Sequence, residues 1–165
     1  MSAIDTLLIL DGIKGEGQDH SFPNSIQLLS FQFGGSSEGA DNPAAGRVRL
    51  EDVIVEKYID AASMGLWQAM INRSSIRNAR IIFRRASGHA SGTSKQVVYL
   101  EITLSDVYVV GMSISETATP EEGQIGFAKE KVTLNFSKIE ANYTQQHQSG
   151  TSGVQSKFNY TIPRS

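Results

Sequence analysis

The stretch 79–115, "ARIIFRRASGHASGTSKQVVYLEITLSDVYVVGMSIS", decides the fold class. Two runs rich in β-branched and aromatic residues, "ARIIFRRA" and "KQVVYLEITLSDVYVVGMSIS", flank the loop "SGHASGT". The small polar residues of this loop are typical of a flexible hairpin tip. The two runs are therefore expected to pair as antiparallel strands, and a fold built on this hairpin is mainly β.

Shorter runs on either side carry the same strand pattern. The run "IDTLLIL" ends at an Asp-Gly turn signal, and "KVTLNF" sets Val132, Leu134 and Phe136 on one face. The C-terminal run "KFNYTI" ends at Pro163. Alternation of apolar and polar residues is typical of a strand with one buried face. We therefore expect strands along most of the chain.

Two further runs give more detailed expectations. The run "SIQLLSFQF" places Leu29, Phe31 and Phe33 on a face toward the core, with Ser30 and Gln32 on the opposite face.

In "RVRLEDVIVEKYI" the apolar positions are Val48, Leu50, Val53 and Val55. The step of three residues between Leu50 and Val53 predicts a bulge at Glu51-Asp52.

One segment, "YIDAASMGLWQAMIN", has helical rather than strand periodicity. Its apolar residues form one stripe, made of Ile59, Ala62, Leu66, Trp67, Met70 and Ile71. Asp60 is the expected N-cap of a helix of about twelve residues. The residues therefore predict a mostly β domain spanning 1–165 with a single helix laid against it.

Composition excludes several classes of function. The net charge of -2 provides no basic field for nucleic acid, and the absence of cysteine excludes disulfides and thiol catalysis. A membrane-spanning helix needs about 18 consecutive apolar residues, and every apolar run of this sequence is much shorter. No membrane insertion is therefore expected. The N-terminal residues lack the basic region of a secretory signal, so we expect no cleaved signal peptide.

The segment Gly34–Gly46, "GGSSEGADNPAAG", is long, rich in small residues and almost free of apolar anchors. Structureless loops of this length inside a compact domain are uncommon and are usually functional or disordered. We interpret the segment as a functional loop.

The sequence predicts no catalytic residue, no metal site and no cofactor. The glycines at positions 12, 15 and 17 match neither nucleotide-binding motif, and no helix follows them, so they predict a turn. The histidines His20, His89 and His147 lie apart in loops. The run "KEK" at 129–131 is interpreted as a solvated face or a weak cross-strand ion pair.

The order of short motifs along the chain closely resembles the Hcp family, the haemolysin-coregulated tube proteins of bacterial type VI secretion. These motifs are "DGIKGE", an Ile-x-x-Leu-Ser-Phe strand, "KYIDAAS", "FRRA", "YLEITLSDVYV" and "VTLNFSKIEANY". The resemblance runs from about Ile4 to Pro163. Family members usually carry Ser-Pro or Thr-Pro at the helix start, where this chain has Ser63-Met64.

The resemblance implies a small β-barrel of two packed antiparallel sheets with one flanking α-helix, a fold shared with phage tail-tube proteins. It further implies a homohexameric ring and stacked rings that form the inner tube driven out by a contractile sheath. The implied partners are other copies of the chain, the sheath, a VgrG spike and small effector proteins carried in the lumen. It implies a structural protein rather than an enzyme, present in the cytoplasm before firing and secreted afterwards.

Three sets of residues receive roles on this basis. The loop is assigned to ring-on-ring contact, because a polar segment that orders only on contact keeps free rings from polymerising early. Its residues are Gly34, Gly35, Ser36, Ser37, Glu38, Gly39, Ala40, Asp41, Asn42, Pro43, Ala44, Ala45 and Gly46. Ser30 and Gln32 are expected to face the lumen and contact effectors, and Lys14 and Glu16 are expected to face a neighbouring subunit.

Two other classes remain open from the residues alone. A secreted β-barrel hydrolase or a carbohydrate-binding module would account for the fold class and for the late tyrosines. A monomeric binding module would account for the absence of a catalytic motif.

Overall fold

The computed structural model describes residues 4–39, 41–42, 44, 46–86, 96–116, 128–146 and 152–163. The described residues form strands and one helix. In chain order these are β1 (Ile4–Leu10), β2 (Ile26–Gln27), β3 (Ser30–Gln32), β4 (Gly35–Glu38), β5 (Arg47–Leu50), β6 (Val53–Tyr58), α1 (Ser63–Asn72), β7 (Ile76–Ala86), β8 (Gln96–Ser115), β9 (Lys129–Asn135), β10 (Lys138–Gln146) and β11 (Ser152–Thr161).

The strand β8 organises the fold because it belongs to two sheets. Its first part pairs antiparallel with β7, as the sequence predicts, and on its other side with β10. From Tyr108 onward it pairs with β9 instead. Asp106 has a φ of 52° at the change of partner, and the register shifts between Val109 and Gly111. The loop between β7 and β8 lies outside the described residues.

The two sheets follow from this shared strand. The first sheet has the order β2-β1-β7-β8-β10-β11, and the second has the order β3-β6-β9-β8. All described pairings are antiparallel. The expected class, mainly β with antiparallel sheets and one helix, is confirmed.

One segment, 26–32, links the far ends of the two sheets. The Leu28 amide donates to the Thr6 carbonyl at 2.9 Å, whereas the next amide, Leu29, donates to the Glu56 carbonyl at 2.7 Å. The chain thus leaves the edge of β1 and joins β6 within one residue. Within the described residues β2 and β3 do not pair with each other. The crossover joins the two sheets, but among these residues no continuous ladder of hydrogen bonds closes them into a barrel.

The crossover corrects the expectation for this segment. Leu28 is buried with Ile26, while Leu29 is 41% exposed, so the placement of Leu29 in the core is wrong. Phe31 and Phe33 are half-buried and pack against the core as expected. The alternation starts afresh after the chain changes sheets, and a single strand pattern drawn through the whole run therefore misplaces Leu29.

The core lies between the two sheets and the helix. It is made of side chains from nearly every element, with the fully buried set including Leu8, Ile26, Val53, Val55, Leu66, Ile81, Leu104, Leu134 and Ile139. The predicted core face of β9 is confirmed, because Val132, Leu134 and Phe136 are all buried.

The segment 34–46 is not structureless, which corrects its interpretation as an irregular loop. Strand β4 pairs with β5, from Gly35 opposite Leu50 to Glu38 opposite Arg47, and the two form a sheet of their own. Glycine is required at 46, where a Cβ atom would lie 1.5 Å from the Glu38 carbonyl oxygen. Positions 40, 43 and 45 lie outside the described residues.

The same pairing corrects the predicted bulge. Glu51 and Asp52 connect β5 to β6 and are not a bulge within one strand. Val48 is 53% exposed because it belongs to the separate two-stranded sheet.

Helix α1 has ten residues rather than about twelve. Its buried face is formed by Ser63, Leu66 and Ala69, whereas Ile59 and Ile71 are exposed, contrary to the predicted stripe. The N-cap is Ala62 rather than Asp60, so the helix begins two residues later than expected and Ile59 lies before it instead of on its stripe. The Asp60 carboxylate still accepts from the Ala62 amide, at 2.9 Å, in the turn that leads into the helix.

Candidate functional site

The outward face of the second sheet is polar. Ser30 and Gln32 on β3 lie opposite Glu56 and Ile54 on β6, and β9 continues both rows. We call this surface the polar face. It comprises Ser30, Gln32, Ile54, Glu56, Ser113, Lys131 and Thr133.

The polar face offers hydrogen bonds without a strong charge of one sign. The Ser30 hydroxyl donates to the Glu56 carboxylate at 3.2 Å, and the same carboxylate lies 3.9 Å from the Lys131 ammonium. Ser30 and Gln32 are exposed. Such a surface can contact many polar partners without binding any one charge type tightly.

The two-stranded sheet β4–β5, hereafter the ribbon (residues 35–50), carries two acidic residues, Glu38 and Asp41, and two basic residues, Arg47 and Arg49. Arg47 and Arg49 alternate on one face, with Val48 on the other. All three side chains are exposed, and neither arginine forms an ion pair within the described part of the chain. The ribbon is therefore a preformed projection with exposed charges of both signs.

The glycine turn that follows β1 offers no anion site. The amides of Gly15 and Gly17 donate to the carbonyls of Asn24 and Ser25, at 2.8 and 2.9 Å. A Cβ atom at Gly17 would lie 2.3 Å from the Ser25 hydroxyl, which explains glycine there. Because the amides are already engaged by carbonyls, they are not free to hold a phosphate. The stretch is a turn, as the sequence predicts.

The two charged residues of this turn have different surroundings. The Glu16 carboxylate accepts a hydrogen bond of 3.1 Å from the Ala61 amide, just before α1. Lys14 is exposed. The structure brings Glu16, but not Lys14, to the start of the helix.

A cavity of about 660 Å³ lies beside Glu16, between the glycine turn and the end of β6. We call it the acidic pocket. Its lining includes Leu7, Glu16, Gln18, Ser25, Ile59 and Asp60. Ser25 is 1% exposed, and its hydroxyl has no hydrogen-bond partner among the residues that the structure describes.

Arg84 and Asp19 form one wall of the acidic pocket. The Arg84 guanidinium forms ion pairs with Asp19, at 2.6 Å, and with Asp5, and it lies over the Phe22 ring. The hydrogen bond from Arg84 lowers the pKa of Asp19 below its usual value of 3.8, and the Ser21 and Phe22 amides act in the same direction against the effect of burial. Although burial opposes it, pairing with both carboxylates raises the pKa of Arg84.

A buried polar cluster lies under the start of α1. The Lys57 ammonium is 2.8 Å from both the Glu130 and Asp60 carboxylates and 3.0 Å from the Ser63 hydroxyl. Ser63 in turn donates to Glu130 at 2.6 Å. Lys57, Ser63 and Glu130 are all buried, and within the described part of the chain one Glu130 oxygen, Oε1, has no hydrogen-bond partner.

This cluster is structural and not a hydrolytic Ser–Lys pair. An ammonium held between two carboxylates has no lone pair with which to accept the Ser63 proton. The cluster is also closed to solvent, so no substrate reaches the hydroxyl. Through these ion pairs and hydrogen bonds, the cluster holds the start of α1 against β6 and β9.

Sequence reasoning missed this cluster and the charge pairing around Arg84. The "KEK" run was interpreted as a solvated face or a weak cross-strand ion pair. Glu130 does pair across the strands with Lys57, its register partner on β6, but the pair is fully buried rather than solvated. The available signal was the alternation of β9, which places Glu130 on the same face as Val132 and Leu134.

Other kinds of site find no support in the described residues. Among the described side chains, no three His, Asp or Glu residues converge closely enough to hold a metal ion. No helix of the described ranges has the length and apolarity needed to cross a bilayer. His20 is exposed, while His89 and His147 lie outside the described residues.

Comparison with known proteins gives consistent matches. The family described as "Type VI secretion system effector, Hcp" matches residues 7–143. Protein hcp1 of Pseudomonas aeruginosa is 30% identical over 165 residues, covering 97% of this chain and 96% of the relative.

Solved structures share the fold across the whole chain. Hcp1 from Salmonella typhimurium is similar with a TM-score of 0.77 and 26% identity, covering 98% of this chain and 96% of that one. A structure described as a type six secretion system protein reaches a TM-score of 0.83 at 21% identity, covering 97% and 96% of the two chains.

Proposed function

Because the chain belongs to the Hcp family of type VI secretion system proteins, we propose that it is a subunit of the inner tube of that system. Six copies form a ring, rings stack into a tube, and a contractile sheath expels the tube behind a VgrG spike. The observation that carries this proposal is the ribbon, a preformed exposed projection that forms a sheet of its own. The family is structural, which overturns the hydrolase alternative.

The second sheet supports ring closure. Within the described residues, β3 pairs only with β6, and residues 110–115 of β8 pair only with β9, so this sheet has two open edges. Edge strands that remain unpaired are ready to pair with another chain. A head-to-tail contact between these two edges, repeated with a fixed rotation, closes into a ring.

The same arrangement supports an inner wall for cargo. If the second sheets of neighbouring subunits join by their edges, the polar face becomes continuous around the ring. Ser30 and Gln32 then line the lumen, where their hydroxyl and amide groups contact small effector proteins without a strong charge preference.

The segment Gly34–Gly46, which forms β4 and the tip of the ribbon, mediates stacking between rings. Since β4 and β5 are already paired, the ordering cost on contact is confined to the tip and does not extend to the whole segment. A preformed ribbon therefore gives stronger stacking than an unstructured loop of equal length.

The test of this function is a variant in which residues 39–46 are replaced by a two-residue Asn-Gly turn. This change keeps β4 and β5 paired and removes only the tip. We expect rings of unchanged mass, no tubes in negative-stain images, and no secretion from a contraction-competent strain. Tubes of normal length from this variant would contradict the stacking role, and a strain lacking the protein supplies the baseline for secretion.

A further inference from the structure

We propose that the acidic pocket binds a small organic molecule with a primary ammonium group at one end of a short apolar chain and an oxygen acceptor at the other. This inference goes beyond the tube function and does not depend on it, because every group that carries it lies within one chain. It rests on two neighbouring carboxylates, on two buried polar atoms without partners, and on the apolar side chains of the same lining.

The two carboxylates of Glu16 and Asp60 are held side by side just before α1. Glu16 accepts from the Ala61 amide through Oε1, at 3.1 Å, and Asp60 accepts from the next amide, that of Ala62, through Oδ1, at 2.9 Å. The Lys57 ammonium also contacts Oδ1 of Asp60. Within the described residues, these contacts leave Oε2 of Glu16 and Oδ2 of Asp60 to accept from a donor in the pocket.

The charge balance of the lining favours one cation. The charged residues that line the pocket are Glu16, Asp19, Asp60 and Arg84. Asp19 is paired with Arg84, and Asp60 is paired with Lys57, which is buried and does not line the pocket. Glu16 has no ion pair in the described part of the chain. One uncompensated carboxylate therefore borders the pocket, and a single ammonium group neutralises it.

The Ser25 hydroxyl indicates a ligand independently of charge. It is buried in the pocket lining and has no hydrogen-bond partner among the described residues, although buried hydroxyls nearly always have one. It lies on the side of Glu16, because a Cβ atom at the neighbouring Gly17 would be 2.3 Å from it. An ammonium group has three N–H donors, which match this hydroxyl and the two carboxylates.

Arg84 adds the requirement for an oxygen acceptor. Its side chain is 9% exposed, and its terminal nitrogens pair with Asp19 and Asp5, while Nε has no partner within the described residues. Because Nε can only donate, it needs an acceptor, which a plain alkylamine lacks. Leu7 and Ile59 line the pocket as well and suit an apolar chain between the two polar ends. The volume of about 660 Å³ is typical of a site for a small molecule.

Titration of the purified protein with a linear amino alcohol, aminohexanol with its two polar groups at opposite ends, tests the proposal by calorimetry. Hexylamine lacks the oxygen and hexanediol lacks the ammonium group. We expect aminohexanol to bind at least about tenfold more tightly than either, and hydroxyhexanoate, which carries a carboxylate instead, not to bind. No binding of aminohexanol at about 10 mM, or equal binding of hexanediol, would overturn the proposal.

A charge variant locates the binding in the pocket. Glu16→Gln keeps an oxygen for the Ala61 amide and removes the charge, so it should weaken the binding of aminohexanol by about tenfold. Glu116→Gln makes the same change at an exposed position after β8 and should leave binding unchanged. Equal affinities of these two variants would place the amine outside the pocket and contradict the proposal.

A second variant separates ligand binding from a structural role of the hydroxyl. Ser25→Ala should weaken the binding of aminohexanol, yet it should not lower the melting temperature of the free protein, because the hydroxyl has no partner to lose within the described residues. Ser115→Ala, at an exposed position, is the control for both measurements. A lower melting temperature for Ser25→Ala than for the control would identify a structural partner and contradict the proposal.

The same ammonium chemistry is present in a lysine side chain, so lysine capped at both ends is the last comparison. Aminohexanol should bind at least as tightly as capped lysine. Binding of capped lysine that is about tenfold tighter would assign the pocket to a lysine of another protein and overturn the small-molecule proposal. These titrations use the purified chain in whatever oligomeric state it adopts, so their failure would leave the proposed tube function untouched.

Discussion

At the scale of single residues, the ion pair between Lys57 and Glu130 requires the removal of two charged groups from water. Both side chains have no exposure, and the pair is joined by Asp60 and the Ser63 hydroxyl. A buried pair contributes little beyond an apolar replacement, but the loss of one partner leaves an uncompensated charge. The cluster therefore specifies how the helix start docks on β6 and β9.

We predict that Lys57→Met lowers the free energy of unfolding by about 3 to 5 kcal/mol, because Glu130 then remains buried without its cation. The measurement is denaturant unfolding followed by circular dichroism. Lys131→Met is the matched control, since Lys131 is 54% exposed and its pair with Glu56 is 3.9 Å long. The double variant Lys57→Met/Glu130→Leu should recover most of the loss, and equal effects of the two single lysine variants would contradict this account.

The pair between Arg84 and Asp19 predicts a dependence on pH. Because the pKa of Asp19 is lowered in the folded protein, its stabilising effect is complete above the usual carboxyl pKa of 3.8 and is lost as the pH falls below that value. Asp19→Asn should therefore lower the free energy of unfolding at pH 7 by about 1.5 kcal/mol, the lower end of the range for hydrogen bonds to charged groups, because Asp19 is partly exposed.

The difference between wild type and Asp19→Asn should narrow as the pH falls from 4 toward 2, as measured by denaturant unfolding across that range. Asp41→Asn, an exposed aspartate without an ion pair in the described residues, provides the control. A difference that stays constant below pH 4 would show that the ion pair does not set the pKa of Asp19.

At the scale of secondary-structure elements, sequence pattern predicts the long strands and misses β4, the first strand of the ribbon. The β7–β8 hairpin and the core face of β9 follow from alternating β-branched residues, which fit a half-buried sheet. The ribbon escapes prediction because β4 is "GSSE", a strand with no apolar residue and no buried side chain. Its pairing is specified by the facing strand and by close approach at Gly46, neither of which leaves a periodic signal.

The polar face is the element-scale feature that tests cargo contact. The residue pattern of β3 correctly places Ser30 and Gln32 on an exposed face, although it cannot show which strands flank them. We predict that Gln32→Arg reduces effector retention by the ring, because a long charged side chain occupies the space above Ile54. Co-purification of an effector with rings measures this effect.

The control for Gln32→Arg is Gln155→Arg on β11, which makes the same change on an exposed strand outside the polar face. Both variants should keep the mass of the wild-type ring. Dissociation of the Gln32→Arg ring would instead identify Gln32 as a subunit-contact residue and contradict its place in the lumen.

At the scale of the whole molecule, the surfaces described above lie on separate parts of the fold. The second sheet has open edges and a polar face, while the ribbon and the acidic pocket lie at the two ends of β6. The sequence indicates such a molecule through the order of its Hcp-like motifs. It does not indicate the pocket, because Leu7, Glu16, Ser25 and Ile59 come together only in the folded chain.

The mass of the purified protein in solution tests the central claim most directly. A tube subunit should form a particle of roughly six times the 17.9 kDa of one chain, and negative-stain images should show rings. Light scattering at increasing concentration should then reveal larger multiples as rings stack. A monodisperse species of 17.9 kDa at high concentration would contradict the account.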